Sequence, residues 1–273
     1  MIKLEHVVLA SPEQMEFVIE GMRNPMNSWA KSDSEDCFFK NCKDDCDHYG
    51  HCNDDIPFYL GNNDHSLMQK LSDAGTEHRK YMRMIPVYVR ITAPLYWWKE
   101  FDTYKVGTVA NSCSTMHKIQ EKEFTLEDFS TEQLAIIDSD DIALIGEYAP
   151  YYKHRVEFDV CHELNFARRL YLAADEKLKR TDLTDSERKH VIAQRKKFWW
   201  QMIQLLPSSY NQTRNVMLNY EVLANIYRQR KNHKLDEWRD FCKWIESLPY
   251  SEFVTGEVKF PIINGECVKV RER

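Results

Sequence analysis

The run Ile85-Pro86-Val87-Tyr88-Val89-Arg90-Ile91-Thr92-Ala93-Pro94-Leu95-Tyr96-Trp97-Trp98 changes character at its centre. Residues 85–92 are dense in β-branched and aromatic side chains, which suit a pleated surface, so this stretch predicts a strand. Proline fits the opening turn of a helix, where its missing N–H is not needed, so a helix carrying Tyr96, Trp97 and Trp98 is expected after Pro94.

Upstream, Ile2 to Leu9 alternates as a strand does. Ser11-Pro12-Glu13-Gln14 then opens a helix expected to reach about Gly21, with Ser as N-cap and Pro at the first helical position. Asn24 to Asp64 is polar and aperiodic and reads as a long loop. Asp64 to about Arg83 has helical spacing broken near Gly75. Downstream, Phe158–Lys179 and Ser186–Leu206 predict two long amphipathic helices; Thr184-Asp185-Ser186-Glu187 is a capping box before the second, and Pro207 stops it. Thr213–Gln229 and Leu235–Leu248 predict two more helices. With no repeat and no Pro/Ser/Gly linker, residues 1–273 read as a single α+β domain with a Cys-rich insertion at about 30–58.

The chain has 273 residues, 43% of them apolar, and a formal charge of −6 from 37 basic and 43 acidic side chains. Its cations are scattered, which disfavours a nucleic-acid partner. No apolar run reaches membrane-span or signal-peptide length, so a cytoplasmic protein with no membrane contact is expected. The eight glycines stand too far apart for a G-x-G-x-x-G or G-x-x-x-x-G-K loop, so any bound nucleotide is held by side chains and helix ends. Cys37, Cys42, Cys46 and Cys52 lie within 16 residues, with His48 and His51 among them. Two readings stand: a structural Zn site with four soft ligands, or reduced free thiols.

Two segments together resemble the flavin-dependent thymidylate synthases, which make dTMP from dUMP with bound FAD. The family's Arg-His-Arg, two residues, Ser, one residue, Asn, two residues, Ser, one residue, Arg follows an Ala-Pro by about ten residues. Here that offset falls on Thr103-Tyr104-Lys105. Thr108 takes the first Ser, Asn111 takes the Asn one residue late, Ser114 keeps the Asn-x-x-Ser spacing, and the closing Arg falls on Met116. The second segment matches the family's Asn, five residues, Asn, four residues, Arg at Asn219, Asn225 and Arg230, followed by His233 and Glu237. Glu77-His78 is similar to an upstream Glu-His pair near the flavin.

The resemblance implies a fold with a twisted, mainly antiparallel sheet and long helices. It implies FAD, with NADPH and methylene-tetrahydrofolate as co-substrates, and a homotetramer sharing active sites between subunits. It places Arg230 on the pyrimidine and, with Ser114, in the catalytic set. Lys105, Thr108, Asn111, Ser112, Ser114, His117 and Lys118 fall to the nucleotide, and His78, Thr103, Tyr104, Asn219, Asn225 and His233 to the flavin. The departures fall on charges, since Thr103 and Tyr104 replace an Arg and a His. Two alternatives follow: a divergent enzyme modifying another pyrimidine at C5, or a non-catalytic nucleotide-binding or assembly protein on the same scaffold.

From the residues alone, a helix through 219–230 places Asn219, Leu223, Ile226 and Arg230 on one stripe about 16 Å long. That stripe is either a ligand-facing surface or a core face with polar ends. The Thr108, Asn111, Ser112, Ser114 and Thr115 run reads as an uncharged hydrogen-bonding loop or an ordinary Ser/Thr turn, with Val106, Val109 and Met116 expected to keep it partly buried. Cys113 is either a nucleophile or a packed thiol. Trp97, Trp98, Trp199 and Trp200 are expected in core or subunit contacts before ring stacking on a cofactor.

Overall fold

The computed structural model describes residues 1–36, 58–134, 137–146 and 156–256, with short strand segments at 153–154, 262–263 and 266–267. Cys37, Cys42, Cys46 and Cys52 lie outside the described residues, as do His48 and His51.

Four strands form the main sheet: β1 (Lys3–Leu9), β2 (Pro86–Pro94), β3 (Val109–Ser112) and β4 (Asn211–Asn219), in the order β1-β2-β4-β3. Strands β2 and β4 run antiparallel. Leu95 N–H donates to Tyr210 O beyond the end of β2, and Tyr220 N–H donates to Ile85 O before its start. β2 buries Val87, Val89, Ile91 and Ala93, every second residue, as one face against a core requires.

Thr213 to Asn219 is strand, not helix. Its apolar residues were compatible with either period, but Val216 and Leu218 are the buried ones, two apart. Flanked by β2 and β3 in the sheet, β4 finds partners for its backbone that an isolated sequence window does not reveal. The following helix, α6, begins only at Tyr220 and runs to Arg230.

Two compact units divide the chain. The first comprises Met1, 92–99 and 112–213. Here helix α4 (Val156–Leu178) packs beside helix α5 (Asp185–Leu205), whose Thr184/Glu187 capping box forms as the sequence predicts. Its core gathers Ile119, Phe124, Phe129, Leu164, Ala167 and Met202, with Trp199 and Tyr210 against it. Asn165 pins both backbone groups of Phe124: its Oδ1 accepts from Phe124 N–H at 2.9 Å and its Nδ2 donates to Phe124 O at 2.8 Å. Trp97 and Trp98 are buried, and Trp98 Nε1 donates to Gln212 O. Trp200 stays exposed.

The second unit comprises 2–91, 100–111 and 214–273. It contains α1 (Pro12–Arg23), with the Ser11–Gln14 capping box formed, and α2 (Asn62–Asp73), after which Gly75 turns at φ +109°. It also contains α6, α7 (Asp236–Ser247) and α8 (Glu252–Thr255). Helix α7 buries Trp238, Phe241, Cys242 and Ile245, one apolar stripe at helical spacing. Leu223 and Ile226 of α6 are fully buried, so that stripe is a core face. Arg23 Nε meets Asp64 Oδ1 at 2.5 Å in the interior, and Ser32, Ser34 and Asp33 N–H saturate the other carboxylate oxygen. Among the described residues no helix is long and apolar enough to cross a membrane.

Candidate functional site

Helix α3 (Leu95–Phe101) ends in the second unit with Glu100 and Phe101, and the chain then turns through Thr103–Thr108. Tyr104 is buried there and faces the last turn of α6. A continuous polar network results. Arg230 Nε–H donates to Tyr104 Oη at 2.8 Å, Tyr104 O–H donates to Gln229 Oε1 at 2.9 Å, and Gln229 Nε2 donates to Asn225 Oδ1 at 2.9 Å. Such chains polarise their members and fix rotamers.

Glu100 holds the other end. Its Oε2 accepts from Arg230 Nη1 at 2.7 Å and from Trp238 Nε1 at 2.8 Å. His233 Nε2 lies 3.5 Å from the same oxygen, and its Nδ1 accepts from Leu235 N–H, which leaves the proton on Nε2. The Arg230 guanidinium also lies over the Trp238 ring, 4.7 Å from its centroid. Arg230 is therefore held on three sides, yet its side chain keeps 18% of its surface. Among the described residues, neither Arg230 Nη2 nor Asn225 Nδ2 has a hydrogen-bond partner, and neither atom is buried.

Asn219 is spoken for. Its Oδ1 caps α6 by accepting from Val222 N–H at 3.0 Å, and its Nδ2 faces Gly107 O at 3.5 Å. Gly107 stands at φ +80°, and a Cβ there would lie 2.8 Å from Asn219 Nδ2, so the turn and the helix start are matched closely. Beside it, Thr108 Oγ1 is buried without a hydrogen-bond partner among the described residues, an unmet polar atom of the kind that calls for a ligand or water.

Sequence-derived candidates thus separate into groups. Thr103, Tyr104, Lys105, Thr108, Asn219, Asn225, Arg230 and His233 all lie in the second unit. Tyr104, Asn225, Arg230 and His233 are joined in one network through Glu100 and Gln229. Thr103 Oγ1 is turned to Glu100 O, while Lys105 is exposed with no side-chain partner among the described residues. Asn111 is exposed on β3 of the same unit. His78 is exposed, and the buried neighbour is Arg79, which pairs with Glu221 of α6 at 2.8 Å. Ser112, Ser114, His117 and Lys118 belong to the first unit and are exposed; Ser114 Oγ accepts from His117 N–H, and Lys118 pairs with Glu121.

The expected partly buried loop at 108–115 is instead led by an edge strand, β3, and it lies open: Val106 is 91%, Val109 61% and Met116 42% exposed. Cys113 is also exposed rather than packed. Glu100, Gln229 and Trp238 were missed. The available signal was Glu100 itself, an acid in an aromatic helix one turn before Tyr104, whose charge requires a partner once its surroundings fold.

Neither a protein-family profile nor a curated protein matches the chain. Among solved structures, flavin-dependent thymidylate synthase from Helicobacter pylori with FAD and dUMP is similar at a TM-score of 0.51 and 14% identity, over 93% of this chain and 95% of that one. A second structure of that enzyme, complexed with FAD and dUMP, matches at 15% identity and a TM-score of 0.49, over 93% and 96% of the two chains. The likeness is one of fold: the chain has the α+β, antiparallel-sheet architecture of the flavin-dependent thymidylate synthases.

Arg230 Nη2 and Asn225 Nδ2 as donors, and Glu100 Oε1 as an acceptor, have no hydrogen-bond partner among the described residues. Thr108 Oγ1 and Lys105 suit a phosphorylated or polar group. Against direct flavin contact, Asn219 and Tyr104 are already satisfied by protein atoms. Arg214 is paired with Asp102 at 2.7 Å and Arg79 with Glu221, leaving Lys105 and Arg228 as exposed cations without an ion-pair partner among the described residues of these segments.

Proposed function

We propose that this chain is a flavin-dependent thymidylate synthase-like enzyme that binds a pyrimidine deoxynucleotide and modifies it at C5, the parent reaction being reductive methylation of dUMP to dTMP. The single observation that carries the reading is Arg230. It sits at the end of α6, preset by Glu100, Tyr104 and Trp238, with an open donor edge. A group oriented before the ligand arrives loses little entropy on binding and needs no reorganisation during reaction.

In this reading the Arg230 Nη2 edge and Asn225 orient the base, while Lys105 and Thr108 hold phosphate or the polar part of a cofactor. Ser114, with Asn111, Ser112, His117 and Lys118, stays a nucleotide-binding candidate on the strength of its sequence pattern. FAD, reduced by NADPH, would supply hydride, and methylene-tetrahydrofolate the one-carbon unit. Asn219 takes the role of a positioning residue, because its cap fixes where α6 begins. A homotetramer with active sites shared between subunits and a cytoplasmic setting belong to the same reading.

A second reading, a nucleotide-binding protein without flavin chemistry, is favoured by the engagement of Asn219 and Tyr104 with protein atoms. Titration of FAD and dUMP, followed by visible absorbance and calorimetry and repeated with Arg230→Ala, separates them. The enzyme reading expects a yellow complex, nucleotide binding lost in the variant with flavin retained, and rescue of a thymidine auxotroph. Nucleotide binding without flavin uptake supports the second reading, and absence of both removes the two together.

A further inference from the structure

A cavity of about 170 Å³ opens beside α1 in the second unit and shares no residue with the Arg230 network. An engineered cavity of about 150 Å³ holds benzene, so this one has room for about six heavy atoms. Its apolar lining is Ile19 and Phe58, both buried, and Trp29, which is 48% exposed. Trp29 Nε1 donates to Asn24 Oδ1 at 2.8 Å, which holds the indole in place. Among the described residues no cation or second ring lies against that indole. A ring fixed before a ligand arrives offers its face at little entropic cost.

The polar lining is acidic. Glu16 and Glu20 stand one turn apart on α1, both exposed, and among the described residues neither carboxylate has a hydrogen-bond or ion-pair partner. Like charges at that spacing repel, a cost that a bound cation removes. Arg23, the basic residue of the lining, is spent: Nε meets Asp64 at 2.5 Å, Nη1 donates to Ser28 O and Oγ, and Nη2 donates once, to Lys31 O. Asp64 cancels its charge, and a single N–H is left over. Ser32 and Ser34 give their hydroxyl protons to Asp64, so acceptor lone pairs are what remain to Ser32, while Ser34 also accepts from Gly61 N–H. The lining therefore combines two uncompensated carboxylates, one surplus donor and an open aromatic face.

Those features select a ligand. An anion would meet two carboxylates, and a bare metal ion would leave Ile19, Phe58 and Trp29 unused. A cation with a short carbon chain uses them all, because a ring face attracts an ammonium group and apolar side chains take up methylene groups. We propose that this cavity binds a small free primary alkylammonium ion, its ammonium group between the Glu16 and Glu20 carboxylates and the Trp29 ring, its chain on Ile19 and Phe58. Ser32 Oγ supplies a further acceptor for the ammonium N–H groups. An ion of that size fits whole, without the wide contact area that a docked polypeptide needs. The site stands apart from the pyrimidine reading, and either holds without the other.

The test is titration of the full chain with n-butylammonium chloride, read by NMR at the Trp29 indole N–H and the backbone amides of α1. n-Butanol and sodium butyrate serve as the neutral and anionic counterparts of the same length. Roughly millimolar affinity is expected for a ligand of so few atoms. Butylammonium should bind about fivefold or more tightly than butanol, lose that advantage in high salt, and leave butyrate without binding. The double variant Glu16→Gln/Glu20→Gln should abolish the preference and keep the butanol affinity. Both positions are exposed and their repulsion is removed, so this variant should melt no lower than the wild type. Trp29→Leu should weaken butylammonium about threefold or more, read at the α1 amides. The proposal is overturned if butylammonium binds no better than butanol, if the preference survives the double variant, or if the shifted signals lie outside α1 and Trp29. A lysine-bearing peptide that moves these signals where butylammonium does not would also overturn it, in favour of a protein partner.

Discussion

Replacing Gly107 by alanine probes the joint between the Thr103–Thr108 turn and the start of α6. Gly107 is at φ +80°, where an L side chain costs about 1–2 kcal/mol. The new Cβ would sit 2.8 Å from Asn219 Nδ2 and 3.1 Å from Val222 Cγ2. Val222 lies on the helix itself, so Asn219 has to move. Its Oδ1 accepts from Val222 N–H, and loss of such a cap costs about 0.5–2 kcal/mol. Gly107→Ala should therefore destabilise the protein by about 1.5–4 kcal/mol. Because part of that loss is the cap, Asn219→Ala and Gly107→Ala should overlap, the double variant losing less than the two singles added. Urea unfolding followed by circular dichroism, with the slope compared across variants, measures this. A Gly107→Ala cost below about 1 kcal/mol, or single-variant losses that add to within about 0.5 kcal/mol, would refute the coupling.

Asp64→Asn removes the partner of the buried Arg23 and should cost about 3–5 kcal/mol by chemical unfolding. Burial alone would raise the Asp64 carboxyl, but hydrogen bonds from Ser34, Ser32 and Arg23 hold it below its ordinary value of 3.8. Its contribution is thus complete above that value and drains away as pH falls through the lower folded value; stability should drop on the acid side of about pH 4, and Asp64→Asn should flatten that limb. Asn165→Ala strands the N–H and C=O of Phe124 and should cost about 1–3 kcal/mol, whereas an unchanged melting profile would contradict the assigned role. In native protein at neutral pH, alkylation followed by peptide mass spectrometry should mark exposed Cys113 and spare Cys242, whose thiol burial pushes up to about 12; rapid native labelling of Cys242 would contradict its placement.

The parts of the fold readable in advance were those with local causes. Ser11 and Thr184 announced their helices through capping boxes, and the alternation at 85–92 announced β2, because each signal depends only on neighbours in sequence. β4 failed for the opposite reason: its partners β2 and β3 lie more than 90 residues away in sequence, and no window around Thr213 contains them. The candidate site divided along the same line. Spacing on α6 drew attention to Asn225 and Arg230, and position after Ala-Pro drew attention to Tyr104. What joins them, Glu100 to Arg230 across 130 residues and Tyr104 to Gln229 across 125, comes from tertiary structure. The spacing also drew attention to Asn219, but its part as the cap of α6 comes from the structure, since a cap and a ligand contact ask for the same residue type.

The proposed function requires a pyrimidine to meet the open edge of Arg230. A crystal structure of the chain grown with dCMP and, separately, with dUMP reads that contact directly. The expected result is a base acceptor within about 2.7–3.2 Å of Arg230 Nη2, with Glu100 still on Nη1. A nucleotide bound at another place, with Arg230 Nη2 left in solvent, would contradict it.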